Sequence, residues 1–255
     1  MSNLIDIELL LSQKHNLSKT DGLLDLTSEN VAKVEAMIRY DSAYRKASSA
    51  DSAPNKKYKG STPYWIKQFS DLIKSSPIDE QEYKNLIRKI VESVDRENST
   101  HLNSDKVGIV EISDRICSYE PKDLIELLRK PTPDYKLIKN ISLLTHPTGK
   151  SHKGNDYKAR INFSFATKFC HYMAINLFAG ESEADNFSIY DNVLDKAIRL
   201  YKDDEVPGNK HHKKIIFEGN YETYINFIDD IILQRGNEIS RNGFDHLLWY
   251  YYKGE

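Results

Sequence analysis

Two residues of this chain have the type and setting to do chemistry: Lys168, in "SFATKFCHYM", and Asp191, in "IYDNVL" about twenty residues later. A lysine amine is a nucleophile only when neutral, and aromatic neighbours such as Phe165 and Tyr172 favour that state by excluding water. A carboxylate partner can stabilise positive charge or move protons. Each residue also has a plainer role. Lys168 can lay its stem over ring faces and keep its ammonium in water. Asp191 can cap the helix it opens, accepting from the N–H of Val193 or Leu194.

Other chemistries lack their residues. "TGKS" at Thr148–Ser151 matches the end of a phosphate-binding loop, but Leu144 stands where that loop needs its first glycine. His211 and His212 are adjacent and point apart on any regular element, and His146 and His152 have no carboxylates at ligand spacing. The expectation is therefore no metal and no cofactor. Two cysteines, Cys117 and Cys170, make neither a disulfide framework nor a thiolate metal site and read as buried small residues. No nucleophile elbow and no glycine-rich dinucleotide fingerprint occurs.

The elements that must position the pair are helices. Apolar residues recur at helical spacing in Val31, Val34 and Ile38, and again in Tyr83, Ile87, Ile90 and Val94. The same spacing returns in Tyr221, Tyr224, Ile225, Ile228 and Ile232, and in Phe244, Leu247, Leu248 and Tyr251. Thr62-Pro63 and Ser76-Pro77 each offer a hydroxyl cap followed by proline at the first helical position. Alternating strands are missing, so the expected fold class is all-α, with about ten helices in two helical lobes. On the wheel of "INFSFATKFCHYMAINLF", Phe163, Ala166, Phe169, Cys170, Met173 and Leu177 form the core face. Lys168 projects opposite, beside Ser164, Phe165, His171 and Tyr172.

Polar stretches at 48–61, 145–160 and 202–214 break the helical pattern, and the middle one gives the expected seam within one compact unit: an N-terminal helical region of 1–145 and a C-terminal region of 146–255. Composition is that of an ordinary soluble chain of 255 residues, 39% hydrophobic and 29% charged. No apolar run reaches the roughly 20 residues of a membrane span. The N-terminus carries Asp6 and Glu8 and lacks a basic start, so it does not read as a secretory signal, and the expected location is the cytoplasm. The net charge of −2 hides a basic stretch from Arg129 to Lys168, where nine cations face only Asp134 and Asp156. Lys150, Lys153, Lys158 and Arg160 within it are candidates to meet the backbone of a polyanion; a solvated lysine-rich loop is the other reading.

"TKFCHYM…IYDNVL" resembles the active-site segment of the helix–hairpin–helix DNA glycosylases, in particular the 8-oxoguanine DNA glycosylase branch. "SFATKF", "IYD" and "DHLLW" resemble, closer still, bacterial proteins with an 8-oxoguanine-glycosylase-like fold. The resemblance covers about the C-terminal hundred residues. It implies that Lys168 is the catalytic lysine and Asp191 the catalytic aspartate of a base-excision glycosylase and AP lyase. It implies DNA as partner, in bacterial DNA repair or phage defence, and an aromatic pocket for an extruded base. Phe165, His171, Tyr172, Phe187, Tyr190 and Trp249 are the candidates for that pocket. The family's glycine-rich turn before the lysine is absent, since no glycine lies between Gly154 and Gly180. The phosphate clamp is therefore missing or rebuilt. The alternative implied is a glycosylase-fold protein without catalysis that binds DNA or a protein partner.

Overall fold

The computed structural model describes residues 16–47, 60–75, 77–98, 100, 102, 107–130, 132–144, 160–201, 220–236 and 239–252. Helical periodicity is realised there in ten α-helices. In chain order they are α1 (Ser28–Ala47), α2 (Thr62–Leu72), α3 (Glu80–Asn98), α4 (Val107–Cys117), α5 (Pro121–Arg129) and α6 (Tyr135–Ser142). Then come α7 (Phe163–Leu177), α8 (Asn192–Leu200), α9 (Tyr221–Ile231) and α10 (Arg241–Tyr252). A 3-10 turn covers Ser182–Asp185, and a π-helical turn, Ile232–Gly236, ends α9. The strands are minimal: β1 (Lys19–Thr20) pairs antiparallel with β2 (Leu23–Leu24), and β3 (Leu143–Leu144) with β4 (Arg160–Ile161). Asp21 and Gly22 join β1 to β2 with φ of 52° and 80°, the doubly positive turn that a two-residue hairpin requires. The all-α expectation therefore holds at the level of class.

The chain divides into two units. The first comprises Met1–Lys57, Asp191–Ile216 and Thr223–Glu255; the second comprises Tyr58–Tyr190 and Phe217–Glu222. The seam expected at residues 145–160 thus falls inside the second unit.

In the first unit α10 lies against α1 and α8. Phe244, Leu247, Leu248 and Tyr251 are buried, as their spacing predicts. Gly243 allows the close approach: a Cβ there would stand 3.1 Å from Val31 Cγ1. The β1–β2 hairpin is fastened by Asn30, whose Oδ1 accepts from Ser18 N–H at 3.1 Å and whose Nδ2 donates to Asp25 O at 2.8 Å. Tyr201 adds a bond from its hydroxyl to Leu24 O at 2.9 Å. Burial holds His246 below the ordinary imidazole range, although Glu35 lies 3.7 Å away.

In the second unit α7 is the central element, touching α2, α3, α5, α6 and the 3-10 turn. The caps differ from the sequence expectation. Ser61, not Thr62, opens α2, its hydroxyl accepting from Tyr64 N–H. Thr62 is buried and donates to Ser93 Oγ at 3.0 Å. Ahead of α3, Asp79 accepts from Glu82 N–H at 2.6 Å, and Pro77 stands two residues earlier. Tyr83, Ile87, Ile90 and Val94 form the buried face of α3. Among the described residues no helix is long and apolar enough to cross a membrane.

Candidate functional site

Lys168 sits in mid-α7, and α7 begins firmly. Asn162 caps it, its Oδ1 accepting from Phe165 N–H at 3.1 Å. The same side chain donates to Thr100 O at 2.9 Å, and the Asn162 N–H donates to Ser142 O at 2.7 Å. The helix start is thereby fixed to α6 and to the end of α3.

The helix wheel is corrected at this point. From Phe163 to Ala174 every residue of α7 except Ser164 and Tyr172 is buried, because neighbours surround the helix on several sides. Lys168 is only 8% exposed, so it is buried and not a surface lysine. Thr167 beside it is fully buried; its hydroxyl donates to Ser164 O at 3.2 Å and accepts from Tyr190 N–H at 3.0 Å. That bond ties the lysine's helix to the residue preceding Asp191 in the chain. Sequence reading missed this threonine; its only signal was a β-branched polar residue inside an apolar helix.

Of the proposed pocket residues in this unit, Phe165 is wholly buried and packs in parallel with Phe169, 6.1 Å between centroids. His171 is 1% exposed, and its Nδ1 donates to Phe187 O at 2.7 Å. These two, with fully buried Phe187, belong to the core. Tyr172 and Tyr190 are half-buried. Tyr172 donates to Asn98 Oδ1 at 3.0 Å, and Tyr190 meets Phe163 edge-to-face at 5.0 Å. The segment from Phe187 to Tyr190 is held again by Tyr221, whose hydroxyl accepts from Ser188 N–H at 2.8 Å and donates to Ser188 O at 2.9 Å.

Asp191 and Trp249 belong to the first unit. Asp191 is the N-cap of α8, its Oδ1 accepting from Val193 N–H at 2.9 Å and from Leu194 N–H at 3.0 Å. The capping role is thus realised. Trp249 is half-buried on α10.

The basic stretch loses part of its excess to a carboxylate outside it, and part is paired within it. Arg129 pairs with Glu181 and lies over the Phe178 ring at 4.5 Å, while Lys130 pairs with Asp134 at 2.9 Å. The Lys130 ammonium and the Leu137 N–H hold Asp134 below the usual carboxylate range, against its partial burial. Lys136 and Lys139 are exposed on α6, and no ion pair among the described residues engages them. Lys150, Lys153 and Lys158 lie outside the described residues, as do His146, His152, His211, His212 and the "TGKS" stretch. Arg160 contributes its backbone to β4. No group of side chains suited to a metal ion occurs among the described residues. Burial pushes the Cys117 thiol up to about 11 and raises Cys170 well above the ordinary range, which leaves neither thiol a reactive nucleophile.

No protein-family model, no curated protein and no solved structure matches the chain.

Proposed function

We propose that this protein binds DNA and excises a base through Lys168 and Asp191. The observation that supports this reading is the position of Lys168. At 8% exposure on the central helix of its unit, it is the only buried lysine or arginine among the described residues. Thr167 adds to it by bonding the backbone one residue ahead of Asp191.

The chemistry follows from the two groups. The neutral amine attacks C1′ of the sugar as the bond from C1′ to the base breaks, and the base leaves with the bonding pair and takes up a proton. Opening of the sugar ring then gives a Schiff base between the lysine nitrogen and C1′, from which elimination breaks the strand on the 3′ side. The Asp191 carboxylate stabilises positive charge on the sugar as the base departs. Tyr172 and Tyr190, the half-buried aromatics, are the side chains suited to touch an extruded base.

A second reading has its own observation. Between α6 and α7 stand β3 and β4, and no glycine precedes Lys168 after Gly154. A protein that kept the helices and lost the phosphate-holding turn would bind without catalysis.

Borohydride trapping on oligonucleotides with abasic or oxidised sites tests the first reading. A covalent complex is expected from the wild type and none from Lys168→Gln. DNA binding that weakens with salt but yields no trapped complex on any substrate would leave only the second reading. Absence of both would remove the two together.

A further inference from the structure

Within the second unit a cleft of about 80 Å³ opens beside the start of α7, lined by Tyr135, Lys139, Leu143, Ile161, Phe163 and Tyr221 among others. We propose that this cleft is a stacking site for one unpaired base of single-stranded nucleic acid, with Lys139 on the adjoining phosphate. The proposal rests on nucleic acid being the partner, as above, and names the form it takes.

The lining has the composition of a ligand site, three aromatic rings and aliphatic side chains with few polar groups. Tyr221, 2% exposed and stacked on Phe187, forms the floor. Tyr135 and Phe163 each meet Tyr221 edge-to-face, at 6.1 and 5.8 Å. Tyr135 is half-exposed, and Ile161 is 59% exposed at β4, an apolar surface unusual for so small a strand. These mark the mouth.

Charge selects the class of occupant. No carboxylate lines the cleft, and Lys139 does. Lys136 lies one turn away on the same side of α6, and the nearby Asp134 is engaged by Lys130 and by the Leu137 N–H. Phe163 is the first residue of a fifteen-residue helix, whose N-terminal end adds partial positive charge. An aromatic wall beside an exposed cation suits a flat ring attached to an anion, which is a nucleotide. Size narrows it further. A closed cavity of roughly 150 Å³ holds benzene, so this smaller, open cleft takes one six-membered ring by its edge. A base stacked inside a duplex cannot offer that ring.

Fluorescence anisotropy with a labelled oligothymidylate of about twelve nucleotides, compared with oligoadenylate and duplex of equal length, tests the proposal. The single-stranded thymidylate is expected to bind most tightly. Tyr135→Ala should weaken it by about tenfold or more, while Tyr135→Phe, which keeps the ring, should bind as the wild type does. Lys139→Glu, at an exposed position, should weaken binding and make the salt dependence shallower by about 0.7 in logarithmic slope, the share of a single phosphate. Undiminished binding by Tyr135→Ala and Lys139→Glu would overturn the proposal. So would equal binding of duplex, or Tyr135-dependent binding of an acidic aromatic peptide in place of the oligonucleotide. Lys168→Gln separates the two proposals. Trapping by the wild type with oligothymidylate binding indifferent to Tyr135 sinks the cleft alone. Tyr135-dependent binding without any trapping sinks the glycosylase alone.

Discussion

Helix α7 is buried along nearly all of its first twelve residues, whereas α8, which Asp191 opens, buries Leu194, Ala197 and Ile198 on one face and leaves Asn192 and Lys196 in solvent. The two residues of the proposed pair therefore stand in different surroundings. Asp191 stabilises its own unit: a carboxylate that accepts two backbone N–H groups at a helix start contributes about 1 kcal/mol. Lys168 lies inside the packing of its unit, at 8% exposure, the only buried lysine or arginine among the described residues. Folding accounts for the aspartate by itself.

The comparison can be broken first, and most visibly, at Cys170. If α7 is buried as described, alkylation of native protein at pH 8 should reach Cys170 only as fast as the chain unfolds. Half-buried Cys117 should react slowly. Its rate should rise about tenfold per pH unit towards its raised value near 11, because a raised thiol keeps less thiolate at any lower pH. Mass spectrometry of labelled peptides reads both sites, and equal labelling of the two would refute the burial of α7.

A smaller effect sharpens the contrast at Lys168. Lys168→Met keeps the length of the side chain and removes the amine, so trapping should be abolished while urea unfolding shows stability within about 1–2 kcal/mol of the wild type. A larger loss of stability instead would make the lysine structural. The smallest effect belongs to the cap. Asp191→Ala should cost about 1 kcal/mol and Asp191→Ser only a few tenths, while both lose trapping. If serine restored trapping, the carboxylate would have no role beyond capping.

How far the sequence reveals this arrangement depends on what each pattern measures. Period and apolarity located the buried faces of α3, α9 and α10, where Tyr83, Tyr224, Ile228, Phe244 and Leu248 are all buried. The same rule misplaced Lys168 and His171. A wheel assigns exposure from polarity and carries no information about a helix enclosed on several sides. At α2 two adjacent hydroxyls compete for the cap, and the choice of Ser61 follows from Thr62 meeting Ser93, 31 residues away. The charge of the basic stretch was overcounted for a similar reason: Arg129 finds Glu181, 52 residues on. The chemistry-bearing types were legible as letters. The cleft was not, since Tyr135, Phe163 and Tyr221 converge only through the fold.

The close approach of α1 and α10 in the first unit has a consequence for how this sequence can drift. A methyl added at Gly243 would meet Val31 Cγ1 at 3.1 Å and Cγ2 at 3.4 Å, so the two positions share one volume. Descendants that enlarge residue 243 must shrink residue 31 in the same lineage, or move the helices apart and lose the packing of Phe244 and Leu247. Among related chains these two positions should therefore change together, as a pair separated by roughly two hundred residues and inherited as one.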